Sequence, residues 1–130
     1  MEKKSFVLGC LFAFLSVLLG AFGEHTLREI ISPRELDIWE TAVRYMMYHA
    51  FALFIVGWAA QRYVVAHFRW AGWSFIIGIV LFSGSLFALV VSGERWLGAV
   101  TPFGGSAFLF GWGFLVAGFW KSRGDLTQAN

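Results

Sequence analysis

The chain has 130 residues, of which 58% are apolar, 19% aromatic and only 14% charged. A soluble domain of this length has too little interior to hide so much apolar surface, and ordinary domains carry about 25% charged residues. That excludes a soluble enzyme and a disordered regulator, while a formal charge of +2 and a single Cys exclude a nucleic-acid binder, a disulfide framework and a Cys-based zinc site.

The charges fall in clusters at positions 2–4, 24–44, 62–69, 94–95 and 121–125. Between them lie Ser5–Gly23, Tyr45–Gln61, Trp70–Gly93 and Trp96–Trp120, all without Asp, Glu, Lys or Arg. About 20 apolar residues in a helix cross a hydrocarbon core of ~30 Å. Only helices and closed barrels satisfy their backbone amides in lipid, and these stretches lack the period-2 alternation of barrel strands. The expectation is an all-α integral membrane protein: a four-transmembrane-helix bundle forming a single domain over 1–130. The spans are placed at about 5–23, 45–62, 70–92 and 102–120.

Helix 1 begins after Lys3 and Lys4 and is free of charge to Gly23. Its start imitates a cleavable signal peptide, and Val7-Leu8-Gly9-Cys10 imitates a lipoprotein box. No apolar run precedes that box, and the stretch is read as a retained span. Gly9, Ala13, Ser16, Gly20 and Gly23 fall on one stripe, the pattern that lets membrane helices approach closely. Cys10 is expected to behave as a small hydrophobe.

Helix 2 has the best-marked start. Ser32-Pro33-Arg34-Glu35 is a capping box with Pro at the first helical position. A helix from Pro33 to about Arg62 is roughly 45 Å long, more than a membrane's thickness. Its first turns therefore form an amphipathic outer extension. Taking Asp37 as origin, Glu40, Thr41, Arg44 and Tyr48 lie within about 60° of it, with Tyr45 and His49 adjoining. Glu40 and Arg44 are a favoured i,i+4 pair.

Helix 3 carries Ala71, Ser74, Gly78, Ser85, Ala88 and Ser92 on a heptad-like register, and Gly93 reads as its C-terminal stop. The hydroxyls of Ser83 and Ser85 point to nearly opposite faces, so back-bonding within the helix is expected. His67, with Arg62 and Arg69 in the preceding loop, suits a lipid-headgroup contact. Thr101-Pro102 reads as the N-cap and first turn of helix 4, which carries Gly104, Ala107, Gly111 and Gly118. These stripes read as packing seams rather than a pore lining. The tail Ser122–Asn130 is short, polar and expected to be loose.

Four spans put both termini on one side, with Lys3, Lys4, Arg62, Arg69, Lys121 and Arg123. The other side holds Arg28, Arg34, Arg44 and Arg95, and the positive-inside rule then places both termini in the cytoplasm of a cell membrane. Trp39, Trp58, Trp70, Trp73, Trp96 and Trp120 fall near the expected boundaries, and Trp112 alone lies deep.

Ionisable residues inside a span are functional candidates. His49 lies about one turn into the apolar zone, with Arg44 at its mouth, and Glu24 and His25 follow helix 1 on the same side. Glu24, His25, Glu40, Arg44, Tyr48 and His49 are therefore a candidate polar or ligand cluster, expected to meet in one network. No His-x-x-x-His or Glu-x-x-His element accompanies them, so neither a metal site nor another cofactor is assigned. No nucleophile is spaced for catalysis, and no catalytic residue is assigned.

Gly20-Ala21-Phe22-Gly23-Glu24-His25 and the run from Trp39 to Ala50 resemble the small bacterial inner-membrane proteins of the domain of unknown function 423 family. Leu81-Phe82-Ser83-Gly84-Ser85-Leu86 and Gly98-Ala99-Val100-Thr101-Pro102-Phe103-Gly104-Gly105 match the same family. Where its first motif ends Gly-Ala-His-Gly-Leu, this chain has Gly23-Glu24-His25-Thr26-Leu27. The resemblance implies a four-span membrane protein and no particular reaction. Two functions follow from the residues. One is a structural or accessory membrane component, as a homo-oligomer or with a membrane-protein partner. The other is a compact transporter or binder of a small or lipid-like ligand. An acid-base enzyme ranks behind both.

Overall fold

A computed structural model describes residues 1–122. The described chain forms four long helices and no strand: α1 (Glu2–His25), α2 (Pro33–Arg62), α3 (Ala66–Ser92) and α4 (Leu97–Ser122). Each is long and apolar enough to cross a membrane. A single 3-10 turn, Leu27–Glu29, joins α1 to α2. The tail expected to be loose lies, beyond Ser122, outside the described residues.

The start of α2 is built as its sequence requires. Ser32 Oγ accepts the Glu35 amide at 3.2 Å, and the Ser32 amide donates to Glu35 Oε2 at 2.8 Å. Two amide donors that the helix start leaves open are thereby satisfied. At the far end of α3, Gly93 takes the left-handed conformation (φ 73°, ψ 5°) and its amide closes on Leu89 O at 2.8 Å. A side chain there would be strained, so the chain stops and turns.

Two local expectations give way. Helix α4 starts at Leu97, so Thr101 and Pro102 lie inside it rather than at its cap. Pro102 falls in the second turn, where its missing amide leaves the Gly98 carbonyl without its intrahelical donor. Thr101 uses its hydroxyl to join Ser85 Oγ at 2.7 Å, linking α4 to α3. Within α3, Ile79–Ser83 is a π-helical turn. It aims Ser83 Oγ across the bundle to Ala42 O at 2.7 Å instead of back along its own helix. Ser85 does back-bond, to Phe82 O at 3.0 Å.

Helix α2 is the central post. Helix α1 lies mainly along one side of it, and α3 and α4, packed on each other, cover another. Leu53 and Val56 of α2 meet Phe68, Phe75 and Ile79 of α3 and Phe108 and Leu115 of α4 in one apolar core. Glycines receive the rings. A methyl group at Gly111 would lie 2.5 Å from Phe75, one at Gly78 2.3 Å from Phe108, and one at Gly23 2.6 Å from Trp39. At Gly104 the neighbour is backbone, 2.3 Å from the amide nitrogen of Phe82 on the π turn. The small-residue stripes are thus seams that let helices touch. Two α1 hydroxyls on the seam, Ser5 and Ser16, are buried without a hydrogen-bond partner among the described residues. The seam accepts that polar cost for the closeness it gives. The outward rows, such as Val7, Phe14 and Val17 on α1 and Phe103, Leu109 and Val116 on α4, are exposed apolar surface suited to lipid.

Candidate functional site around His49

Helix α2 places His49 among its buried residues, at 5% exposure. The helical wheel explains this. His49 stands about 120° from Asp37, close to Ala42 at about 140° and Leu53 at about 160°. Those two residues are fully buried, while Asp37, Arg44 and Tyr48 are exposed. The polar stripe of α2 and His49 therefore belong to different faces. The wheel made His49 adjoin the stripe, and the packing of α2 puts it on the buried side of that boundary.

Both ring nitrogens are engaged. Nδ1 donates to Tyr45 O, one turn back, at 2.7 Å. Nε2 accepts the indole N–H of Trp112 on α4 at 3.2 Å. A carbonyl can only accept and an indole N–H can only donate, so this pair defines the tautomer: proton on Nδ1, lone pair on Nε2. Phe108 lies parallel to the imidazole, centroids 3.5 Å apart and planes 4° apart. Phe75 approaches at 5.6 Å and Tyr45 at 6.1 Å. The result is an aromatic box with a single polar group at its centre, saturated by protein. Such an imidazole can orient α2 against α4, but its lone pair is not free to take a substrate proton.

The deep position of Trp112 was the signal for this partnership. An indole N–H away from the interface needs an acceptor, and His49 supplies it. Phe108 gave no comparable signal. Trp39 reverses the expectation for an interfacial anchor: at 4% exposure, its Nε1 donates to Leu19 O at 2.8 Å, pinning α2 to α1 beside Gly23.

The other candidate residues lie apart from the box. Glu24 and His25 occupy the exposed end of α1, where Glu24 pairs with Arg28 of the following turn. Glu40 is half-buried on α2. Arg44 is exposed and donates to Thr41 Oγ1 at 3.2 Å, and exposed Tyr48 packs against Tyr45, 5.8 Å between centroids. Among the described residues, no hydrogen bond or ion pair joins Glu24, His25, Glu40, Arg44 or Tyr48 to His49. The expected single network is thus split between a polar rim and a buried imidazole among aromatic rings. No group of three or more His, Cys, Asp or Glu side chains suited to a metal occurs among the described residues.

Near the rim, a cleft of about 460 Å³ opens between the first turn of α2 and the α3–α4 link, lined by Arg34, Glu35, Ile38, Leu89, Gly93 and Arg95. His49 lines neither this cleft nor the others described.

Comparison with known proteins places these features in context. The model of a family described as protein of unknown function (DUF423) matches residues 19–105. The chain is 45% identical to the UPF0382 membrane protein YwdK of Bacillus subtilis, over 88% of this chain and 94% of that protein. It is 42% identical to UPF0382 membrane proteins of Staphylococcus aureus and Staphylococcus epidermidis, over 94% of this chain and 99% of each relative. No solved structure matches.

Proposed function

We propose that this chain, which belongs to the DUF423 family of membrane proteins, is a structural or accessory component of the inner membrane. It works by presenting fixed helix faces to lipid, to a membrane-protein partner or to a second copy of itself. The observation that carries this reading is the saturation of His49. The buried titratable group of the bundle is tied to Tyr45 O and Trp112 and stacked on Phe108, and rings fill the glycine seams around it. A solute pathway needs an interior that opens. Here the buried imidazole is spent on packing. Glu24, His25, Glu40, Arg44 and Tyr48 then serve as a polar rim for a partner or ligand at the end away from the termini. The alternative reading, a compact binder of a small or lipid-like ligand, has one observation in its favour, the cleft between Arg34 and Arg95 beside that rim.

The test is accessibility of the interior. Single substitutions Ala42→Cys, Ala52→Cys and Ala71→Cys, each in a Cys10→Ser background, place thiols at buried positions. With a small membrane-permeant thiol reagent, none should label in native membranes and all should label after denaturation. Labelling of any one in the native membrane, from either side, contradicts the structural reading and favours a transporter. The termini are assigned to the cytoplasm, on the excess of Lys and Arg at their end. Gln128→Cys, in the same background, should resist an impermeant thiol reagent added to intact cells; ready labelling reverses the orientation.

A further inference from the structure

At the end of the bundle that carries the N-terminus, the lipid-facing row of α1 runs from Val7 into the charged residues Lys3 and Lys4. A cleft of about 570 Å³ is lined by Met1, Lys3, Lys4, Val7 and Leu8. Across Met1, a second cleft of about 470 Å³ is walled by Glu2, Tyr63, Val65 and Arg69. Met1 lines both, so the two adjoin. The Arg69 guanidinium lies 5.9 Å from the Trp70 ring centroid, which holds its charge at the expected interface. Among the described residues, Lys3, Lys4 and Arg69 have no carboxylate within salt-bridge distance.

We propose that this paired cleft binds one anionic phospholipid with a single phosphate. The phosphate lies at Lys3 and Lys4, with Arg69 across Met1, and an acyl chain runs along Val7 and Leu8. Charge complementarity selects the anion. The apolar wall selects a lipid over a free phosphate, which would leave that wall wet and lose its own hydration. Glu2 adds one negative charge on the far side, which turns away a second phosphate and suits a hydroxyl-bearing headgroup. The proposal is independent of the structural reading, since its loss would leave the closed interior intact.

Native mass spectrometry of the purified full chain in neutral detergent tests this, with phosphatidylglycerol and phosphatidylcholine of matched chains. Retention of one phosphatidylglycerol in preference to phosphatidylcholine is expected. Neutralisation by Lys3→Gln, Lys4→Gln or Arg69→Gln should weaken it about fivefold per charge. The control Arg28→Gln removes one charge from the opposite end, outside the Arg34–Arg95 cleft, and should leave retention unchanged. Equal retention of both lipids overturns the proposal, as does a loss in this control matching that in Lys3→Gln. Displacement of the lipid by equimolar glycerol 3-phosphate would also overturn it, by assigning the site to a soluble phosphate.

Discussion

At His49 the two ring nitrogens are held in opposite roles, Nδ1 by a backbone carbonyl that any residue at 45 supplies and Nε2 by the Trp112 side chain alone. Trp112→Phe keeps the ring stacking and removes the donor, leaving Nε2 without a partner. Interhelical hydrogen bonds in membranes average about 0.6 kcal/mol and reach about 1.7, and a loss in that range is expected in unfolding from mixed micelles. His49→Ala should cost more, about 2–5 kcal/mol, because it also opens a cavity against Phe108 and orphans the indole N–H. A double-mutant cycle of the two should show positive coupling. Additive losses would mean that the contact contributes no energy of its own. That His49 is an ionisable group inside a span was legible in the sequence. Its partners were not, because the rings that surround it, Phe75 of α3 and Phe108 and Trp112 of α4, lie 26 or more residues downstream in the chain.

Between elements, backbone proximity decides which small residues are required. At Gly104 a methyl group would sit 2.3 Å from the Phe82 amide nitrogen and 2.7 Å from its Cα, and backbone of the π turn cannot swing aside. Gly104→Ala should therefore destabilise by about 1–3 kcal/mol or more. Gly84→Ala is the contrast. It sits two residues from the same contact on α3, with nothing within 4 Å of its added methyl. It should be neutral or slightly stabilising, because Ala is the better helix former. Thermal unfolding in detergent separates the two; equal effects would refute the close approach. At the start of α2, Ser32→Ala removes the hydroxyl that accepts the Glu35 amide, keeps the residue-32 amide bond to Glu35 Oε2, and should cost about 0.5–2 kcal/mol. Its mark should be local, as faster amide exchange at Glu35 with the span unchanged. The capping box, the Gly93 stop and the glycine seams were all readable from local pattern. The π turn was not, since Ile79-Val80-Leu81-Phe82-Ser83 carries no residue that breaks an α-helix. The early start of α4 was missed because Thr-Pro imitates a cap that the chain does not use.

As a whole, the molecule is a bundle whose described charges lie at its ends and whose one buried imidazole is spent internally. Charge spacing alone made the four spans legible, because a bilayer tolerates so few ionised groups that their gaps mark the helices. The sequence supplied candidate polar residues but not their arrangement. Glu24 and His25 sit at an exposed helix end, and the stripe from Asp37 to Tyr48 faces away from the core that takes His49. The most direct measurement is nitrogen-15 NMR of the His49 imidazole in the protein reconstituted in lipid bilayers, with proton contacts to water recorded alongside. The account predicts one tautomer, protonated at Nδ1 with a bare, hydrogen-bond-accepting Nε2, and no exchange contact with water. A mixture of tautomers, or an imidazole in contact with water, would contradict a sealed interior.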